Sequence, residues 1–258
     1  MEILMLRNIF IIAIVLTTCS TFAGPPTVDS LLRKIDFRSN MVTDVKANVN
    51  LAQQRTGQGT KKIEMLYYRR DSDDAFLIVM TAPSTEKGNG YLRTGDNFWM
   101  YRRNTRTFQH INRDENIGGS DAQGDDFEKR LLFDLYGAVT DSSGKEIITD
   151  DTLGKIQVYR FDVKAKVNDV DYPKKIYWVR RDNFLVLKEQ SFSLSGTLMQ
   201  TAYYLKYTEI KGRFVPVNQL FVDEFEKGNK TMVEISNISI NKLDNSIFTK
   251  AYLENLSK

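Results

Sequence analysis

Apolar side chains recur at every second position over much of this chain, the period of a strand with one face buried and one wet. Residues 42–53 place Val45, Ala47, Val49 and Leu51 on one face, and residues 61–69 repeat the pattern with Ile63, Met65 and Tyr67. Residues 76–80 read as a more fully buried strand. Residues 91–94 and 97–102 form a hairpin closed near Gly95 and Asp96, and 108–111 is a short strand. Seven more strands are predicted over 145–150, 156–167, 173–180, 184–194, 198–207, 214–224 and 231–243. Gly154, Asp169, Asp182, Gly196, Gly212 and Gly228 mark the short turns between them, so the second half is a meander.

Helical spacing interrupts this pattern in three places. Residues 28–35 carry Leu31, Leu32 and Ile35 on one face behind Thr27 as N-cap, and residues 36–40 break the period. Residues 112–126 hold Gly118, Gly119 and Gly124 with few apolar anchors. Residues 127–136 then read as a helix with Phe127, Leu131, Leu132 and Leu135 on one side, capped by Asp125 or Asp126. A helix that follows a long loop within a run of strands predicts a lid or plug over a sheet face. Residues 246–256 close the chain as a short helix.

About twelve antiparallel strands accumulate twist and curl, so the pattern predicts a mainly β, single-domain fold with one strongly curved sheet. Lys164, Lys166, Lys174 and Lys175 on one strand, and Glu189, Ser191 and Ser193 on another, are expected to face solvent. That polarity argues against a two-sheet sandwich and leaves one large face to be filled by few helices. A residual apolar cavity follows, and an acyl chain fills such a cavity without asking for hydrogen bonds. The expected liners are Met65, Tyr67, Phe76, Ile78, Met80, Phe98, Met100, Phe161, Ile176, Trp178, Phe192 and Leu194, each competing with a role as packed core.

The amino terminus changes the compartment. Arg7 precedes a short apolar run, residues 9–16, of the secretory type. Two processing sites compete: an A-x-A-like ending at Ala23, and a lipobox-like ending at Cys19 that leads to acylation. Residues 1–23 are the signal in the first case, and 24–258 are one domain of about 235 residues. Cys19 is the only cysteine, so no internal disulfide forms and an ordinary core must suffice. The setting is a bacterial envelope, and the protein is expected to be a monomer.

Lys and Arg number 36 against 33 Asp and Glu, a net charge of +3, interspersed rather than clustered, which excludes a nucleic-acid surface. Arg102, Arg103 and Arg106 read as a solvated hairpin. His110 is the only histidine, no nucleophile-elbow motif accompanies it, and zinc-ligand sets are missing. Asp121, Asp125 and Asp126 read as a helix-capping acidic loop rather than a cation site. Neither catalytic residue, metal nor cofactor is predicted.

Several ordered segments resemble the LolA/LolB-like family, in particular its outer membrane lipoprotein-sorting branch. They are Gly90 to Arg93 with Asn97 to Tyr101; Gly119 and Ser120 through Asp125, Asp126 and Phe127; Ile176 to Val179 with Asn183 and Phe184; Ser195 to Leu198; Lys230 and Thr231; and Ser246 to Thr249. The resemblance implies an open, incomplete β-barrel of about eleven strands with lid helices. It also implies binding of lipid or lipoprotein acyl chains and carriage between an inner-membrane transporter and an outer-membrane acceptor, without catalysis. Arg69 and Arg93 are candidates for a lid-contacting arginine of such carriers. An envelope sensor or adaptor on the same fold, and a lipid-modifying hydrolase using His110, are the alternatives.

Overall fold

The structure is a computed structural model that describes residues 26–41, 43–112, 115, 117–119 and 130–258. Its strands are β1 (Val45–Arg55), β2 (Gly59–Arg70), β3 (Ala75–Ala82), β4 (Gly90–Thr94), β5 (Asn97–Arg102), β6 (Thr107–His110), β7 (Tyr136–Ala138), β8 (Ile148–Leu153), β9 (Ile156–Ala165), β10 (Lys174–Arg180), β11 (Val186–Phe192), β12 (Leu198–Ile210), β13 (Arg213–Asp223) and β14 (Lys230–Ser239). All fourteen belong to one antiparallel sheet. Its order is β6-β5-β4-β3-β2-β1-β14-β13-β12-β11-β10-β9-β7, and β8 shares the β7 edge of β9. The end strands β6 and β7 do not pair, so the sheet is open. The expected mainly β fold with one open antiparallel sheet is observed, with one strand, β7, beyond the thirteen ranges read from the sequence.

The join between the two halves is β1 on β14. Val49 faces Ile235, Leu51 faces Val233 and Gln53 faces Thr231. Strand alternation then sorts every side chain onto an inner or an outer face. One cross-strand row of the inner face runs Phe161, Tyr177, Glu189, Ala202, Phe221, Thr231, Gln53, Lys61, from β9 to β2.

Helix α1 (Val28–Ser39) covers the inner face of β9–β11. Val28, Leu31, Leu32 and Ile35 pack there on Phe161, Val163, Tyr177, Val179 and Val186. Thr27 caps it as expected, its Oγ1 accepting from the Ser30 N–H at 3.2 Å. The helix outlasts the predicted break by a turn, through Ser39. Asp36, read as a breaker, turns its carboxylate away to a neighbouring segment, and Ser39 Oγ donates back to the Ile35 carbonyl at 2.9 Å.

The helix predicted over 127–136 is corrected. Helix α2 spans only Leu132–Leu135, Leu131 is its extended cap, and Tyr136 opens β7. Pairing of Tyr136 with Ala165 takes the chain into the sheet before a second helical turn forms. Phe127 and residues 120–126 lie outside the described residues. On the outer face of β2–β5 a 3-10 turn (Asn245–Phe248) and helix α3 (Lys250–Leu256) bury Ile247, Phe248 and Leu253 against Tyr68, Leu77, Val79 and Leu92.

Candidate functional site

The inner face is apolar at both ends. On β1–β5, Met65, Phe76, Ile78, Met80 and Phe98 are buried in one cluster, with Tyr67 and Met100 half-buried against it. Seven expected liners therefore share one face. The chain after β6 lies across them. Ile111 and Ile117 enter the cluster, the Gly118 N–H donates to Tyr91 Oη at 2.8 Å, and Lys61 Nζ donates to the Gly118 carbonyl at 3.3 Å. Gly118 has φ 59, a left-handed conformation that favours glycine, and a Cβ there would stand 2.4 Å from Met80 Cε and push that side chain aside. Arg69 and Arg93 sit on this face too. Arg69 pairs with Asp71 at 2.8 Å, and Arg93 Nε donates to the Gly95 carbonyl at 2.9 Å.

Not all of the expected liners join this cluster. Phe161 is buried under α1 on the inner face. Ile176, Trp178 and Phe192 point the other way, clustered with Val158 on the outer face. The register decides this, because Phe161 pairs with Tyr177, and Ile176 pairs with Asp162. Trp178 Nε1 donates to Asp151 Oδ2 at 3.2 Å, and Lys188 Nζ lies 4.4 Å from its ring centroid. Leu194 is 91% exposed in the β11–β12 turn and lines nothing. His110 also lies on the outer face, exposed, its ring edge-on to Trp99 at 4.9 Å.

Between the two buried ends the inner face is only half covered. All eleven residues of β13 have intermediate exposure. Across this stretch Tyr204, Gln219, Phe221, Val233 and Ile235 are neighbours on the inner face, each half-buried. None of these five was among the sequence candidates, although the alternation that exposes Val233 and Ile235 is present in the chain.

Beside this stretch lies a polar cluster that the sequence placed in solvent. Lys175, Glu189 and Ser191 face inward. Lys175 Nζ meets Glu189 Oε1 at 2.6 Å, with side-chain exposures of only 17% and 11%. Ser191 Oγ donates to the same oxygen at 3.2 Å and Tyr204 Oη to Glu189 Oε2 at 3.3 Å. Burial pulls the Lys175 ammonium towards neutrality, but Glu189 and Tyr136 outweigh it and hold its pKa above the usual lysine value. Burial pushes the Tyr177 phenol well above its usual range, and Glu189 adds to this.

Helix α1 and the segment around α2 are tied by polar contacts. Asp36 Oδ1 and Oδ2 accept from the Leu132 and Phe133 N–H groups at 2.9 Å each. The Arg33 guanidinium lies 3.1 Å from the Phe133 ring centroid. Arg130 Nη2 meets Asp169 Oδ2 at 2.9 Å. Leu132 and Leu135, expected on the lid, are half-buried against the α1 cluster. Among the described residues no helix is long and apolar enough to cross a membrane, and no acidic, histidine or cysteine group is placed to hold a metal.

This architecture is similar in fold to solved structures of LolA-like proteins. A LolA superfamily protein from Nitrosomonas europaea superposes with TM-score 0.71 at 19% identity, covering 88% of this chain and 100% of the other. A domain named as an outer membrane lipoprotein-sorting protein, from Vibrio parahaemolyticus, gives 0.73 at 14% identity over 88% and 97%. A DUF1329 family protein from Desulfovibrio piger gives 0.74 at 18% over 87% and 97%. At these identities the likeness is one of fold. A family model described as "-like: Uncharacterized protein" matches residues 72–255, and the chain belongs to that family. No curated protein matches it.

Proposed function

We propose that this protein is an envelope carrier or acceptor that holds lipid or lipoprotein acyl chains on the inner face of its open sheet and helps sort them to the outer membrane. The observation that carries the reading is the half-covered stretch of β12–β14. There Phe221, Val233 and Ile235 lie between the two packed ends and stay only half-buried, Val233 and Ile235 at the margin of the β1–β5 cluster. Apolar surface of this kind, on a face otherwise closed, gains free energy when a chain covers it. The fold shared with a domain named for lipoprotein sorting supports the same reading. The donor is then an inner-membrane transporter and the final acceptor lies at the outer membrane. The chain works in the periplasm, free or anchored through Cys19, as one domain over residues 24–258. The segment leading into α2, Phe127 and Leu131 included, serves as the lid together with Leu132 and Leu135.

The test is a pair of charge insertions. Phe221→Glu at the half-covered stretch should lower stoichiometric binding of a fluorescent fatty-acid probe at least roughly tenfold, while the urea midpoint moves little, because a half-buried site leaves the charge hydrated. Ile78→Glu, fully buried at the packed end, should unfold the protein instead. Binding that survives Phe221→Glu unchanged counts against the groove.

A further inference from the structure

The inner face carries a hydroxyl that meets no partner among the described residues. Tyr177 is 0% exposed, and its Oη has no hydrogen-bond partner among the described residues. Its cross-strand neighbours on the inner face are Phe161 and Glu189. Glu189 is the natural acceptor, but Lys175, Ser191 and Tyr204 already donate to its two oxygens. Tyr136, the other phenol in the cluster, donates to the Tyr172 carbonyl at 3.0 Å. The Tyr177 proton is therefore left over. An unmet buried hydroxyl is costly, and replacing it by a hydrogen atom would relieve the cost.

We propose, on the acyl-chain reading above, that Tyr177 Oη is the polar anchor for the carbonyl oxygen of the acyl linkage in the bound ligand. The partner must be an acceptor, because the phenol keeps its proton: burial and the surrounding oxygens of Glu189, Tyr204, Tyr136 and Asp36 all disfavour the phenolate. It must also be uncharged, because an anion at this position would meet the Glu189 carboxylate, while Lys175 is already neutralised by its 2.6 Å pair. A phosphate or a free carboxylate fits poorly, and an ester or amide carbonyl fits. Tyr177, Glu189, Ala202 and Phe221 follow one another along a single cross-strand row, so the anchor lies three strands, about 14 Å, from the half-covered stretch. The half-buried Tyr204 borders both. Tyr177 is packed beneath α1, so α1 must yield for a carbonyl to reach its Oη, and the hydrocarbon chain then runs towards Phe221.

The test uses the full chain and three matched probes: 1-monooleoylglycerol, which has an ester carbonyl; oleoyl ethanolamide, which has an amide carbonyl; and 1-O-oleyl glycerol ether, which has none. Dissociation constants are read by displacement of N-phenylnaphthylamine. The wild-type protein should bind at least one carbonyl lipid roughly five- to tenfold tighter than the ether, the yield of one hydrogen bond. The better of the two identifies the linkage as glycerolipid ester or N-acyl amide. Tyr177→Phe should bring the carbonyl lipids to the affinity of the ether and leave the ether itself unchanged. Without ligand, Tyr177→Phe should unfold at the same urea concentration as wild type or higher. A preference that persists in Tyr177→Phe, equal binding of all three probes, or a clear loss of unliganded stability overturns the anchor alone. Binding of no probe overturns the acyl-chain reading and the anchor with it.

Discussion

At the scale of single residues, polarity proved a poor guide to direction. Lys174 and Lys175 are neighbours on one strand and cannot both face out. The pairing of Lys175 with Ser191 and of Tyr177 with Glu189 turns this set inward. Buried this way, the Lys175–Glu189 pair is expected to behave as a unit. Lys175→Met strands a carboxylate and should cost about 3 kcal/mol in urea denaturation, whereas Lys175→Met with Glu189→Leu should recover most of it. A single-variant loss of about 1 kcal/mol or less would mean that the pair is solvated like a surface bridge. Neither Met80 nor Trp178, both expected from the sequence to line a cavity, lies on the half-covered stretch. Met80 is packed core, and Trp178 faces outward.

At the scale of elements, α1 is held by its apolar stripe, and α2 is held by α1. Four buried side chains fix α1 on β9–β11, so Leu32→Ala should cost about 2–5 kcal/mol and expose Phe161 and Tyr177 to solvent probes. Asp36 links the helices. Burial raises its pKa, against the lowering effect of the Phe133 and Leu132 N–H groups. The folded state thus holds the Asp36 proton more tightly than the unfolded chain does. Its contribution to stability is fully present below the ordinary aspartate value of about 3.9 and is lost as pH rises through the raised folded value. Urea midpoints of wild type relative to Asp36→Asn should accordingly shift in favour of wild type as pH falls through that window. Parallel curves for the two proteins would remove Asp36 from the pH response. The short α2 also shows why the longer predicted helix failed: Leu131, Leu132 and Leu135 have helical spacing, but Tyr136 gains more from a strand partner.

At the scale of the whole molecule, β1 on β14 makes the two halves one sheet. Chemical unfolding is expected to show a single transition by both tryptophan fluorescence and far-ultraviolet circular dichroism, and two separated transitions would divide the chain into domains. Deleting residues 245–258 uncovers Tyr68, Leu77 and Leu92 on the outer face and should lower the midpoint without abolishing the inner face. Processing decides how the molecule is deployed. If Cys19→Ala abolishes fatty-acid labelling and frees the protein from membranes, it is an anchored acceptor. If the mature chain begins at Gly24 and the substitution changes nothing, it is a soluble carrier.

The strands and turns were legible in the sequence because alternation and turn chemistry are local properties of a few adjacent residues. The apolar end built on Met65, Phe76, Ile78, Met80 and Phe98 was legible for the same reason, as was the single curved antiparallel sheet that so many short-turned strands require; that it is open was implied by the family resemblance alone. Register was not. Whether Ile176 and Trp178 or Lys175 and Tyr177 look inward depends on which residue of β9 stands opposite, and one step of slip exchanges the faces. The half-covered stretch over β13 was hidden for a related reason. How much of a face stays open depends on where a helix and a crossing loop from distant parts of the chain come to rest, and that is settled only when the whole sheet has curved around them.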